Sequence, residues 1–543
     1  MAVLLTAAAL STLVLIITTA LYRLIFHPLA NVPGPKLAGL STLWLAYHAR
    51  KGRNHTFMPA LHKKYGPIVR IAPNQVLVCS ENAVHQIYSA GSPYVKGHWY
   101  QVCKAPGAKA RGEDEFDLLT EKNKDRYRMQ RRAIGPAYSI AGMEKHEALL
   151  DQHIEKFMAC LERRKGVWID LAEWMHIYAL DGIASFTLGK SPNYMDTGRD
   201  GQNMVASDKH WAYFTVVGLF PWLVDLTQAL PKTGMWLMIP IALCFGLAIP
   251  TGLPIFGFAV PLIMNRLLSL ESTSEVTPPD DRPGLETSLK SKNAPMDSVA
   301  DESTQDANED EPDLLASLMK LHTAKEDRFR PSWVLGITLT NFGAGHDTTT
   351  LALSSTLYLI LTHSPTKQRL LHELREAGIT PSSSYHDIVQ GVPYLLACMK
   401  EAQRLIPPLG IFMQRVVPLT GANMCGYHIP PGTNVGVHQS SIHQLSSVFP
   451  SPEKFQPERW MSDGSEERRK EIGRMDACWL GFGGGSRNCP GQHLGRFFVV
   501  KLLARLMVEF GEGVEVRGMP EFQGWFSVHM HGVDVRFGEG EKV

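Results

Sequence analysis

Apolar and polar positions alternate along this chain in three distinct ways. Residues 1–22 carry no charged side chain, and at about 1.5 Å per residue a helix of that length covers roughly 33 Å, enough to cross a bilayer. This predicts an N-terminal transmembrane helix; a cleaved signal peptide is the competing reading. Arg23, His27 and Lys36 follow it, which by the positive-inside bias puts the bulk of the chain on the cytosolic side. Pro28, Pro33, Gly34 and Pro35 stop the helix and make residues 23–40 a stiff hinge. A second uncharged run, Thr233–Asn265, is broken by Pro240, Pro250, Pro254 and Pro261. It reads as an apolar lid or a membrane-dipping element, and mid-run proline and glycine favour an interfacial segment. Elsewhere helical periodicity dominates, as in Trp333–Leu361 and Pro393–Leu405, with short strand patterns at Ile68–Ile71 and Val76–Val78. The expected fold is mainly α with small β-sheets behind an N-terminal transmembrane helix.

Composition changes this picture little. Of 543 residues, 44% are hydrophobic and 20% charged, which suits a large globular core and not a multi-span membrane protein. The net charge of +1 offers no global attraction to nucleic acid. Eight cysteines stand without C-x-x-C pairs, which fits neither a zinc ribbon nor a disulfide scaffold. From Glu271 to Pro312 there are twelve acidic residues, three basic residues, five prolines and no aromatic residue, so a flexible acidic insertion is expected at 271–312.

Four constellations carry candidate chemistry. Phe482-Gly-Gly-Gly485-Ser-Arg487-Asn-Cys489-Pro-Gly491 presents one thiol at the start of a helical run. Backbone N–H groups and the helix's positive end favour a thiolate there, glycines let the backbone approach a flat cofactor, and Arg487 can pair with a cofactor carboxylate. The bland reading is a glycine turn with an incidental buried cysteine. Ala344-Gly345-His346-Asp347-Thr348-Thr349 puts an acid and alcohols inside an apolar helix, where such residues are disfavoured. Its bland reading is a solvent-facing stripe. Glu401 and Arg404 share one helix face at i,i+3 and read alone as a surface pair. Lys122, Lys124, Arg126, Arg128, Arg131 and Arg132 crowd eleven residues, either as plain surface or as a docking patch for an acidic electron donor.

Together these motifs, in this order, resemble the cytochrome P-450 family. The resemblance runs from Pro33 to near the C-terminus and implies one haem-thiolate domain over 41–543. It makes Cys489 the axial ligand of haem b (iron protoporphyrin IX) and Phe482 part of the haem loop. Tyr127, Arg131, Arg415 and Arg487 become haem contacts, although the family more often has Trp or His where Tyr127 stands. With Phe455-Gln-Pro-Glu-Arg459-Trp460, the triad Glu401, Arg404 and Arg459 becomes structural. Thr348 would hydrogen-bond dioxygen and Asp347 would relay protons, with His346 a neighbour. Gly481 stands where many relatives have proline.

The implied activity is NADPH- and dioxygen-dependent oxidation of a lipophilic small molecule, in the style of fungal enzymes of secondary metabolism. No nucleotide-binding glycine motif occurs, because the nearest candidate has Ser486 in place of its last glycine. Electrons therefore come from a separate protein, by analogy an NADPH-cytochrome reductase on the same endoplasmic reticulum membrane. A reductase-independent isomerase or dehydratase and a non-catalytic haem protein are the alternatives; neither needs Asp347 and Thr348. The segments near Trp99–Phe116, Val216–Leu230, Ile337–Phe342, Ile411–Met413 and Gly524–Phe526 are the implied specificity positions.

Overall fold

The computed structural model describes residues 1–104, 117–250, 252–273, 313–324 and 330–538. The first helix, Ala2–Leu21, continues through a wider π turn, Tyr22–Phe26. Val3–Phe26 forms a 24-residue span of mean hydropathy 2.2 that buries nothing against the rest of the chain. At about 1.5 Å per residue it exceeds the roughly 30 Å of a bilayer's hydrocarbon core.

The proline-rich stretch that follows is docked on the fold. The Arg70 guanidinium donates to the carbonyls of Arg23 and Pro73, and its backbone N–H donates to Pro33 O at 2.7 Å. Leu29 is fully buried. The span is thus tied to the strand Ile68–Ala72, and the prolines act as a strap, not a free pivot.

Two hydrophobic clusters organise the remainder. The larger surrounds the central helix Pro331–Thr362, which packs most extensively on the helix Leu171–Leu188. That second helix buries sixteen of its eighteen residues, because it is apolar all round and runs through the core. Six hydroxyls inside the central helix are satisfied locally: Thr338, Thr340, Thr348, Thr350, Ser355 and Thr356 each donate to the carbonyl four residues back. A five-stranded sheet runs in the order Ile68–Ala72, Gln75–Val78, Asn434–Gly436, Arg415–Val416, Val95–Lys96. Its last pairing sets Lys96 directly opposite Arg415. A C-terminal hairpin, Val514–Gly524 with Val528–Phe537, pairs with Trp168–Asp170 and leans on the central helix.

The uncharged run at 233–265 is two helices with different fates. Pro231–Cys244 exposes Met235, Trp236, Leu237 and Leu243. Pro254–Thr273 drives Ile255, Ala259 and Ile263 into the core against the central helix. Only the first half can serve as a lid or membrane contact, since the second has its apolar face already covered. The acidic insertion expected at 271–312 lies outside the described residues, apart from the turn that ends the second helix.

Candidate functional site

The cysteine loop lies immediately before the helix Gln492–Phe510. Gly483 and Gly485 both adopt positive φ. A Cβ at Gly485 would sit 1.8 Å from Tyr88 O, so no larger residue fits that crossing. The Cys489 N–H donates to Phe482 O at 2.7 Å and folds the loop back on itself. At Gly481 the space a proline ring would need is filled by Trp479, whose indole donates to Lys400 O at 3.1 Å.

All eight cysteines are free thiols. Burial pushes Cys79 up to about 12 and Cys478 up to about 11, which makes them inert hydrophobes. Cys489 is half-buried. Burial also raises its pKa, but a hydrogen bond from the Gly491 N–H and the Arg131 charge act in the opposite direction.

Cations gather beside the cysteine loop. Arg131 donates to Asn488 Oδ1 at 3.2 Å and to Cys489 O at 3.4 Å, while its Nη1 is buried with no partner among the described residues. Arg487 stacks over the Tyr127 ring at 3.7 Å and donates through Nη1 to Glu121 O; its Nη2 is likewise buried and unpartnered. Arg415 is buried and donates to Gln414 O. Lys96, which no sequence motif marks, is buried beside them and donates to the Leu118 and Leu119 carbonyls. Its pKa is driven well down, first by burial and then by Arg415 and Arg487. Like charges directly opposite in a sheet are destabilising, and buried guanidinium groups without acceptors cost free energy. A ligand bearing carboxylates, set over the thiol, removes both penalties. The donor set therefore fits a haem with its propionates among Arg131, Arg415 and Arg487.

On the central helix, Asn341, Ala344, Gly345 and Thr348 form a partly open stripe at i, i+3, i+4 and i+7, with Gly343 the one other position between Asn341 and Thr350 that is not buried. Tyr138 donates to Asn341 at 2.7 Å. Thr348 lies on the stripe. Asp347 does not: it is 1% exposed and turned away from the stripe, and Ser207 and Trp211 donate to its Oδ2 at 2.5 and 2.8 Å. The family resemblance implies that Asp347 and Thr348 serve one oxygen-handling site from two different faces of the helix. Adjacent helical residues point about 100° apart, and three imidazoles draw the carboxylate away: His346, His529 and His176 approach its Oδ1 at 3.2, 3.2 and 3.8 Å. Burial opposes a charge on His529, yet Asp347 and Asp208 push its pKa up to about 10.

The structural triad assembles at the end of the helix Pro393–Leu405. Glu401 is fully buried and accepts from Arg404 and Arg459 at 2.8–2.9 Å. Trp460 joins them, donating at 2.9 Å. The six basic residues at 122–132 do not act as one patch. Arg126 pairs with Glu121 and Arg128 with Asp125, Arg131 turns inward, and Arg128 and Arg132 stay exposed.

Four of the five expected specificity segments meet in the smaller apolar cluster. It joins Trp99, Val216, Leu223, Ile411 and Phe526. Phe526 stacks between Trp99 and Trp211, at 5.5 and 4.4 Å. Ile337 and Phe342 belong to the larger cluster instead. The segment from 105 to Phe116 lies outside the described residues.

These features define a protein with a half-buried thiol on a glycine loop, buried arginines beside it, and a long central helix. The chain belongs to the cytochrome P-450 family, whose pattern it matches over residues 32–232 and 288–531. It is 34% identical over 545 residues to the cytochrome P-450 monooxygenase sdnT of Sordaria araneosa, covering 96% of this chain and 93% of that one. It is 28% identical to a cytochrome P-450 monooxygenase of Aspergillus terreus, covering 89% and 90%. It is 27% identical to the cytochrome P-450 monooxygenase cicH of Emericella nidulans, covering 90% and 88%. The chain is a haem-thiolate monooxygenase, an oxidoreductase with a haem-iron cofactor.

Proposed function

We propose that Cys489, as thiolate, is the axial ligand of haem b, and that the chain hydroxylates or otherwise oxidises a lipophilic small molecule with electrons from an NADPH-cytochrome reductase. The observation that carries this reading is the convergence of one half-buried thiol with two arginines whose guanidinium nitrogens, Arg131 Nη1 and Arg487 Nη2, lack acceptors among the described residues. Arg131, Arg415 and Arg487 hold the propionates, Tyr127 is fixed under Arg487, and Phe482 closes the loop.

When bound, the haem supplies dioxygen activation, and electron density from the thiolate favours O–O cleavage. The remaining work belongs to side chains. Thr348 Oγ1 donates to Ala344 O at 2.8 Å at rest and is free to turn that hydrogen into the cleft. The stacked Trp99 and Phe526 rings offer an apolar substrate a wall and exclude water. The apolar span at the N-terminus anchors the enzyme, with its catalytic domain on the cytosolic face of the endoplasmic reticulum. The exposed Trp236 and Leu237 rest on the same membrane surface. The 41–543 region acts as one haem domain, and the kinship with enzymes of Sordaria and Aspergillus points to secondary metabolism as its setting.

The test is spectroscopic and then catalytic. Cys489→Ala abolishes the carbon monoxide band of thiolate-ligated haem, and wild-type turnover with purified reductase requires both NADPH and oxygen. An unchanged band in the variant refutes the ligand; turnover without either co-reactant refutes the reaction class.

A further inference from the structure

Monooxygenation consumes protons as well as electrons. Inserting one oxygen atom into a C–H bond and releasing the other as water takes two electrons, supplied by the reductase, and two protons. The stripe Asn341, Ala344, Gly345 and Thr348 includes no ionisable group, so a proton for the reaction is held elsewhere. Asp347, the acid next to Thr348, adjoins such a reserve. His529, on the C-terminal hairpin, sits between two carboxylates: its Nδ1 faces Asp208 Oδ1 at 2.5 Å and its Nε2 faces Asp347 Oδ1 at 3.2 Å. Ionised carboxylates only accept, so a ring that holds both contacts carries both hydrogens and is an imidazolium. His529 and Asp347 are buried, whereas the Asp208 side chain is 23% exposed, so the row runs from the surface to the central helix.

The groups around this row leave His529 as the carrier of the charge. From the central helix, His346 brings Nε2 to 3.2 Å from Asp347 Oδ1, but its Nδ1 has only the Phe342 carbonyl behind it, and burial holds its pKa down. From the helix Leu171–Leu188, His176 stands farther off at 3.8 Å, with Asp200 on its Nδ1. From the helix Asn203–Val217, burial pushes His210 down to about 4. His531 follows two residues along the strand of His529 itself. Among the described residues, every ion-pair partner of Asp208 and Asp347 is a histidine, so no lysine or arginine competes for these carboxylates. A cavity of about 10 Å³ opens onto the same place, lined in part by His176, Asp347, Ser354 and His529. Nε2 of both histidines, Oδ1 of Asp347 and Oγ of Ser354 are buried and make no aligned hydrogen bond among the described residues. One water molecule fits such a space, and these four polar atoms are partners for it.

We infer that His529, backed by Asp208, stores the proton that Asp347 delivers for oxygen chemistry, and passes it across a water molecule in this cavity. In that transfer the Nε2–H bond of His529 breaks, the water takes this hydrogen and gives one of its own to Asp347 Oδ1, and imidazolium and carboxylate become imidazole and carboxylic acid. Solvent restores the proton to the ring before the next turnover, so the cycle balances. At rest the opposite charges keep Asp347 turned away from Thr348. Once both partners are neutral that attraction is gone, and a turn of about 100° around the helix brings the acid to the face of Thr348. His529 acts through Asp347 and is a positioning residue: it sets the charge and the resting place of the acid. The inference rests on the monooxygenase reading and on the proton-relaying role that the family resemblance implies for Asp347.

The test uses the full-length, haem-loaded enzyme with purified reductase and NADPH, and dioxygen itself is the probe. Oxygen uptake is followed from about pH 6.5, the ordinary histidine pKa, to about pH 9, in H2O and in D2O. Burial works against the charge on His529, but Asp347 and Asp208 outweigh it and raise the pKa to about 10. A group raised in this way keeps its proton at low pH and loses it as pH climbs through the raised value, so wild-type uptake stays flat across the window. Asp208→Asn removes one of the two carboxylates that raise it; uptake then matches wild type at the acid end and declines with rising pH inside the window. His529→Gln keeps a hydrogen-bond donor and holds no transferable proton. Its uptake falls about tenfold, with a larger solvent isotope effect, a smaller loss than the roughly 10²–10⁴-fold contributed by a group that protonates the reacting atom itself. A histidine that merely packs would change melting temperature and leave both the pH profile of Asp208→Asn and the isotope effect as they are in wild type. A flat profile in Asp208→Asn overturns the proposal, as does uptake by His529→Gln within about twofold of wild type; if His529→Gln fails to fold, Asp208→Asn decides. Where both variants match wild type and the carbon monoxide band is normal, the proton store falls and the haem assignment stands; a wild-type enzyme without that band sinks the haem reading itself.

Discussion

Replacing Glu401 by glutamine keeps the volume of the side chain and removes its charge. Five hydrogen bonds end on this carboxylate: Oε1 accepts from Arg404 Nη2, Arg459 Nε and the Gln456 N–H, and Oε2 accepts from Arg404 Nε and Trp460 Nε1. Whichever way the amide is turned, its NH2 group faces at least two donors, and two buried guanidinium groups lose their shared counter-charge. Hydrogen bonds to a charged group are worth about 1.5–3 kcal/mol each, so two of them predict roughly 3–6 kcal/mol. Unpairing a buried ion pair costs about 3–5 kcal/mol by experience elsewhere, which is the figure adopted. With about 2 cal/mol/K of unfolding entropy per residue over roughly 500 residues, this is a fall of about 3–5 °C in Tm. The readouts are thermal melting and the haem absorbance per polypeptide. The control is Glu471→Gln, an exposed carboxylate paired with Arg468, whose change should stay within about 0.5 kcal/mol. A Glu401→Gln enzyme that retains full haem and melts within about 1 °C of wild type would refute the reasoning, because the network would then be storing no net free energy.

Two further outcomes are expected. Thr348→Ala should uncouple NADPH consumption from product, with peroxide released and product formation down about tenfold, a barrier change of ~1.4 kcal/mol; peroxide assay beside product quantification decides it, and full coupling removes Thr348 from the mechanism. Deleting residues 2–26 should move most of the enzyme from the membrane pellet to the supernatant, and a residual vesicle-bound fraction should disappear on adding Trp236→Ser; persistence of all the binding after the deletion would mean the span is not the anchor.

What the amino-acid order determined by itself is local. Uninterrupted apolarity over 1–22 is enough for a span, a helix is read from its 3.6-residue period, and Pro393–Leu405 begins and ends where its prolines require. The cysteine loop is also legible, because glycine spacing around a thiol and a following helix is a short-range pattern. Tertiary structure alone decided which neighbours each polar group meets. Lys96 reads as an ordinary strand residue until the sheet sets it opposite Arg415. Asp347 and Thr348 are adjacent in the chain, yet a helix separates their faces and commits them to different surroundings. Pro231–Cys244 and Pro254–Thr273 share one composition, and only packing buries the second. His176, His346 and His529 are scattered over more than half the chain. No periodicity or spacing rule connects such residues, since their meeting depends on how two helices and a hairpin close on one another.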